Sequence, residues 1–452
     1  MLGFAGTRRW VYVQHIKGTF QSLRRRTFLV LHLILFGLPW VKIAGNPALL
    51  FDLPGRRLYA FGATFTASDT ILLLLVLLFL AFSLFFFTAL FGRLWCGYAC
   101  PQTVLLDAWV HPIERWIEGE RTTRMRRDMG PWTLDRAWRK AAKWSLFLAA
   151  AFVVSMSFMS FFVPARELWA GAASGAAYSL VAFFTGVWFL DFTWFREQFC
   201  NFLCPYARFQ SVMVDDQTLI IGYDELRGEP RGGKAARTDG RCIDCNKCVV
   251  VCPTGIDIRN GFQLECIGCA RCVDACTDVM GRFGHRSLIG YGSLASLARR
   301  RTRFWRPRTV GYAALLAGLV TATTALLSLR VPFDVSVARA PGTLYTVDDD
   351  GFVRNTYLLR ISNNLPGEPV AFTVEVDGID GAVVASPGFE LEATEGRIVP
   401  LVVRVPQASA SDRTLPMKVR VSSSRAGARV LDTTFKTAGD SGHVAGPGII
   451  GP

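Results

Sequence analysis

Residues 70–91 run for 22 positions without a charged side chain and consist largely of Leu and Phe. A helix needs about 20 apolar residues to cross the ~30 Å hydrocarbon layer of a bilayer, so this block is read as a transmembrane span. Four more spans are expected on the same ground. The first is 27–44, broken by Pro39 and preceded by Arg24-Arg25-Arg26. Spans 144–163 and 170–190 flank a short turn containing Pro164 and Arg166, and 309–329 lies between Arg308 and Arg330. Residues 1–26 are polar and basic with no convincing small-residue cleavage site, so the first span is expected to stay uncleaved.

The net charge of +14 on 452 residues, 51% of them hydrophobic, would raise nucleic-acid binding in a soluble chain. Here the charge is unevenly placed. Residues 331–452 hold 11 Lys/Arg and 14 Asp/Glu, a net of −3, which leaves +17 on the first 330 residues. Most of that lies in the segments between apolar blocks, including Arg93, Arg115, Arg121, Arg124, Arg126 and Arg127 before the third span. Basic loops stay on the cytoplasmic side, so the partner is a lipid bilayer and not a nucleic acid. The expected arrangement places residues 1–26, 92–143 and 196–308 inside. Everything after Arg330 is then exported.

The exported part reads as strands. Phe372, Val374 and Val376 alternate with polar residues, as do Leu401, Val403 and Val405, and Met417, Val419 and Val421. Period-2 runs between Gly/Pro/Asn/Asp/Ser turns predict an all-β, immunoglobulin-like sandwich of about seven strands over 331–440.

Twelve cysteines fall in four groups. Cys242-x2-Cys245-x2-Cys248-x3-Cys252-Pro253 is a complete cluster-binding run, and Cys266-x2-Cys269-x2-Cys272-x3-Cys276 repeats its spacing, with Thr277 where proline is usual. In two-cluster ferredoxins the fourth cysteine of each run serves the other cluster. Cys242, Cys245, Cys248 and Cys276 are therefore assigned to one [4Fe–4S] cluster, and Cys266, Cys269, Cys272 and Cys252 to a second. C-x2-C pairs also hold structural zinc, but two matched four-cysteine runs fit cubanes better. Residues 206–298 thus form a double-cluster domain. The Gly-rich stretches at 228–233 and 281–292 match no nucleotide-binding pattern, so the electron donor is a partner protein or a membrane carrier.

The remaining cysteines end membrane spans. Cys96-x3-Cys100-Pro101 follows the second span and Cys200-x3-Cys204-Pro205 the fourth, so the region 27–205 reads as two helical hairpins of one repeated kind. Residues i and i+4 share a helix face, which would set each pair of sulfurs side by side. Soft thiolates suit Cu(I), zinc or iron–sulfur chemistry. His32, His111 and Asp191 are further candidates because ionisable groups at membrane depth are functional by default.

The segments W-C-G-Y-A-C-P-Q-T at 95–103, F-C-N-F-L-C-P-Y-A-R-F-Q at 199–210 and R-N-T-Y-L-L-R-I at 354–361, together with the double run between them, resemble the CcoG/FixG/RdxA family. The resemblance covers nearly the full length. It implies a multi-pass protein of the bacterial cytoplasmic membrane with a cytoplasmic ferredoxin domain and a periplasmic sandwich. It further implies a cupric reductase supplying Cu(I) for assembly of the cbb(3)-type cytochrome c oxidase. Copper would be handled by Cys96, Cys100, Cys200 and Cys204, and its onward partners would be a copper chaperone or copper-transporting ATPase. A homodimer is compatible with this reading. A quinol dehydrogenase feeding electrons through the two clusters, and a redox-sensing assembly scaffold, are the competing expectations.

Overall fold

A computed structural model of the chain describes residues 10–43, 45–66, 69–232, 242–329, 333–342, 344–363, 369–385, 388–392, 395–409, 414–425 and 427–437. Arg330, read above as the far boundary of the last span, lies outside these residues, as do the extreme ends of the expected sandwich. The chain divides into two compact units: residues 1–42, 47–58 and 69–325, and residues 43–46, 59–68 and 326–452.

The first unit is built on α1 (Thr19–Gly37) and α2 (Thr70–Phe91), followed by the short helices α3 (Leu94–Tyr98), α4 (Pro101–Leu105), α5 (His111–Glu118) and α6 (Arg121–Met129). The long helix α7 (Leu134–Met159), the short α8 (Ala165–Trp169), α9 (Gly175–Leu190) and α10 (Pro205–Met213) complete the membrane region. Thr133 and Ser174 cap α7 and α9 by accepting the backbone N–H of Arg136 and Ala177. Among the described residues four helices are long and apolar enough to cross a membrane: 70–91, 134–159, 175–195 and 307–328. The chain is therefore a membrane protein.

The first expected span is displaced. Residues 27–44 were the apolar block, but the helix begins at Thr19 and stops at Gly37, because Pro39 turns the chain into a 3₁₀ segment at Leu38–Trp40. Arg24–Arg26 fall on the helix and make it too polar to pass on hydropathy. It nevertheless runs the length of its neighbours. Its N-terminal end hydrogen-bonds to Gly97 and Asp274, while Trp40 packs on Trp169 of α8, whose indole N–H donates to Ser160 at the far end of α7. From Thr19 to Trp40 a helix spans roughly 33 Å.

The cysteine-rich segment is clamped by a two-stranded antiparallel ribbon, β1 (Ile220–Tyr223) with β2 (Ile289–Gly292). Between them lie α11 (Lys247–Val250) and α12 (Arg271–Gly281). Ile221, Ile256, Ile258, Val273, Met280 and Leu288 form a core in which Cys248 is buried. Asp274 on α12 accepts hydrogen bonds from the backbone N–H of Phe20 (3.2 Å) and Gln21 (2.8 Å), placing a carboxylate at the start of α1. The last membrane helix is α13 (Pro307–Ser328).

The second unit carries a sandwich of β3 (Phe333–Arg339), β4 (Phe352–Asn363), β5 (Val370–Asp377), β6 (Val383–Ala385), β7 (Phe389–Leu391), β8 (Gly396–Pro406), β9 (Thr414–Ser423) and β10 (Gly427–Lys436). One sheet has the order β6-β8-β4-β3 and the other β7-β5-β9-β10, all antiparallel; a two-residue strand at Thr346–Val347 also pairs with β4. Leu401, Val403, Val405, Met417, Val419 and Val421 all point inward, as their alternation requires. Against about seven strands expected, the described residues hold these eight and the two-residue strand; β6 and β7, three residues each, are edges too short to show a period.

Candidate redox centre

The two cluster-binding runs are alike in backbone as well as in spacing. Asp244 and Gly268, each the residue before the second cysteine of its run, have φ of 55° and 69°. Asn246 and Ala270, each the residue after that cysteine, have φ of 56° and 58°. Two left-handed residues per loop bend each triplet around a common centre, and a helix starts directly behind each loop. Asn246 tolerates that conformation, whereas Ala270 is held in it by complete burial.

The eight cysteines fall into two sets. Cys242, Cys245, Cys248 and Cys276 line one small cavity together with Tyr223, Arg259 and Leu288. Cys252, Cys266 and Cys269 gather about Cys272: burial pushes the Cys272 thiol far up, and Cys269, Cys266, Cys252 and, least, Cys248 of the first set add to the effect. Burial likewise raises Cys266 to about 12. Thiols so destabilised as anions by burial and by one another need a compensating cationic centre to ionise. All twelve cysteines are free. A set of four clustered thiols per site is the donor set of a four-iron cluster, and the residues present fit that group.

The helix-end cysteines do not sit on one helical face as i,i+4 spacing implied. Cys96 is in α3, but Cys100 is extended, with ψ of 126°, and so is Cys204, with ψ of 111°. Pro101 and Pro205 cause this, because proline drives the preceding residue out of the helical region. Cys200 lies in a wide, five-residue turn at Phe199–Leu203. The four thiols are still neighbours. Burial raises Cys200 above its ordinary range, with Cys100, Cys96 and Cys204 contributing, and burial raises Cys96 to about 11. Among the described residues no three His, Cys, Asp or Glu side chains converge to the spacing of a single ion. The four sulfurs form a cluster, not a closed cage.

This group abuts the second ferredoxin set. Cys96 packs with Ile267 and Cys269, with Tyr206 beside them. A Cβ on Gly97 would lie 2.7 Å from the Ile267 carbonyl oxygen, so only glycine permits the approach. Cys200 lines a small cavity with Pro253, Thr254 and Ile267, and the Thr254 hydroxyl is 3.3 Å from the Cys252 sulfur.

Residues that the cysteine pattern did not single out complete the centre. The Cys96 thiol donates to Gln210 Oε1 at 3.0 Å, and Gln210 Nε2 donates to Thr88 Oγ1 at 3.3 Å. Arg93, 7% exposed, donates from Nη1 to the Leu264 carbonyl, while its Nε and Nη2 have no acceptor among the described residues. Arg24 donates to the Gly97 carbonyl (2.9 Å) and pairs with Asp107 (2.8 Å), which Arg271 also engages (2.7 Å). Gln210 and Arg93 lie in or beside the cysteine motifs, and that proximity was the available signal.

The other candidates are structural. His32 Nε2 accepts from the Trp109 indole (2.7 Å) and its Nδ1 lies 2.6 Å from the Phe28 carbonyl oxygen, so both ring nitrogens are engaged. His111 Nε2 is 3.1 Å from Glu197, within a buried network where Glu114 receives Arg124 (2.7 Å) and Arg196 (2.8 Å). Asp191 accepts both its hydrogen bonds from Gln102, at 2.9 and 2.8 Å.

A membrane helix bundle joined to a double cysteine-cluster domain and an all-β sandwich defines the class: a membrane iron–sulfur electron-transfer protein. Family models agree, with a 4Fe–4S dicluster domain at residues 195–294, a 4Fe–4S binding domain at 72–118, and the "IG-like fold at C-terminal of FixG" at 323–437. The chain is 35% identical to Protein RdxA of Cereibacter sphaeroides over 423 residues, covering 88% of this chain and 90% of that one. It is 36% identical to Protein RdxB of the same organism (95% and 96% covered) and 32% identical to Nitrogen fixation protein FixG of Rhizobium meliloti (92% and 86%). The chain belongs to the FixG/RdxA family.

Proposed function

We propose that the protein reduces Cu(II) to Cu(I) at Cys96, Cys100, Cys200 and Cys204 for assembly of a cbb(3)-type cytochrome c oxidase. Cys242, Cys245, Cys248 and Cys276 would hold one [4Fe–4S] cluster, and Cys252, Cys266, Cys269 and Cys272 the other. Such clusters supply electrons one at a time, matching the single electron that Cu(II) takes up. The observation that carries the reading is the packing of Cys96 on Ile267 and Cys269, which puts soft ligands for a second metal against the second cluster set.

The chain's own groups have distinct tasks. Thiolate sulfur favours Cu(I) over Cu(II), which makes the reduction easier. Arg93 stabilises the thiolate form, since it lowers the Cys96 thiol against burial. Gln210 fixes the Cys96 sulfur, and Gly97 permits close approach. In this reading the ferredoxin domain is cytoplasmic, the sandwich periplasmic, and copper leaves to a chaperone or copper-transporting ATPase.

The test is anaerobic cupric reduction by the Cys96→Ser/Cys200→Ser double variant, with EPR and iron analysis in parallel. Reduction lost with eight irons retained per chain supports the proposal. Reduction at the wild-type rate overturns it. A second reading rests on the match of a 4Fe–4S binding domain to residues 72–118: the helix-end thiols hold a further cluster. Twelve irons in the wild type falling to eight in the double variant would establish it.

A further inference from the structure

A cavity of about 540 Å³ opens beside α1 and α5, with none of the four helix-end thiols in its lining. That volume lies within the range of small-ligand sites. Its lining has two characters. Phe28 and Leu29 of α1 furnish an apolar wall, and Leu29 is 62% exposed on the same face as Leu33, 64% exposed. One helical turn before Leu29 sits Arg25, and across the mouth stand His15 and Arg115.

The charges do not cancel. Asp107, on the cavity wall, is already paired to Arg24 and Arg271, and Arg124 is paired to Glu114. Arg121 donates to the Tyr12 carbonyl, which leaves its charge uncompensated. The side chains of Arg25 and Arg115 have no hydrogen bond or ion pair among the described residues, and the sole remaining acid on the lining is Glu120. Burial lowers the His15 pKa, and Arg115, Arg271 and Arg25 lower it further, with Glu120 the one charge opposing them. Trp116, 80% exposed on α5, is an amphipathic side chain of the kind that rests at headgroup level.

We propose that this cavity binds the headgroup of an anionic phospholipid, with Arg25 and Arg115 on the phosphate and an acyl chain leaving along Phe28 and Leu29. Basic pockets beside membrane helices at the cytoplasmic surface take such headgroups. A soluble phosphate compound would use the cations but not the apolar wall that continues into the bilayer-facing side of α1. The site is separate from the copper reading and does not depend on it.

Full-length, cluster-loaded protein in detergent is titrated with phosphatidylglycerol, phosphatidylcholine or inorganic phosphate, and binding is read by native mass spectrometry. One phosphatidylglycerol per chain is expected, at least tenfold tighter than phosphatidylcholine. Each arginine contributes about fivefold, so Arg25→Gln/Arg115→Gln weakens binding about 25-fold, while Arg126→Gln on the exposed face of α6 leaves it unchanged. Equal binding of the two lipids, or undiminished binding in the double variant, overturns the proposal. So does inorganic phosphate bound as tightly as the lipid, which reassigns the site to a soluble ligand. If the double variant does not insert, the wild-type lipid comparison decides alone.

Discussion

A methyl group on Gly97 would lie 2.9 Å from both the backbone nitrogen and the α-carbon of Cys269. The membrane cysteine motif and the second cluster loop therefore meet backbone to backbone, with no side chain between them. Gly97→Ala is expected to force the two apart, at an overpacking cost of about 1–3 kcal/mol. The melting temperature should fall, and copper reduction should slow in protein that still shows its full cluster EPR signal.

Gln210 is completely buried and bridges Cys96 to Thr88. Gln210→Leu removes the group that orients the sulfur, while the Thr88 hydroxyl keeps the Leu84 carbonyl and the Tyr206 hydroxyl as partners. Losses of such supporting contacts cost about 10–100-fold in metal affinity. Competition against a Cu(I) chelator measures this, and cluster content should not change.

Arg93→Gln tests how the thiols ionise. A metal must bind thiolates, so binding releases protons and strengthens as pH rises. Burial holds Cys96 as a thiol up to about pH 11, and Arg93 is the charge that opposes burial. Without that nearby charge, Cu(I) affinity at pH 7 should fall about tenfold, the equivalent of a thiol pKa raised by about one unit. The deficit should narrow in titrations at higher pH.

Asp107 ties the helical segment after Cys100 to α1 and α12. Burial pushes its carboxyl up, but Arg24 and Arg271 outweigh burial and hold it well below the usual carboxylate range. A depressed folded pKa gives stability that is present above the unfolded value near 3.8 and lost as pH falls below it. Arg24→Gln leaves the acid half-paired and should destabilise the membrane unit by about 3–5 kcal/mol at pH 7. Thermal unfolding at pH 7 and pH 3 should show the difference between wild type and variant shrinking in acid.

In the sandwich, Leu401 is fully buried between the sheets. Leu401→Ala should cost about 2–5 kcal/mol, visible as a lower denaturant midpoint. Iron content should remain that of the wild type.

The spans were legible where length and composition alone decide: 70–91 is a helix over those same residues. The strands were legible wherever alternation ran five residues or more. The start of α1 was not, because Arg24 is neutralised by Asp107, a residue 83 positions away that no local pattern can reveal. The i,i+4 reading fails at Cys100 and Cys204 for a local reason: the proline after each drives the cysteine itself out of the helical region. Gln210 and Arg93 act through contacts with residues more than 100 positions distant, and sequence order hides such partners.

Asp274 occupies the turn of α12 between Cys272 and Cys276, and its carboxylate closes the beginning of α1. Any shift of the second cysteine loop is thereby transmitted to the first helix of the membrane unit, which Arg24 also anchors through Gly97 and Asp107.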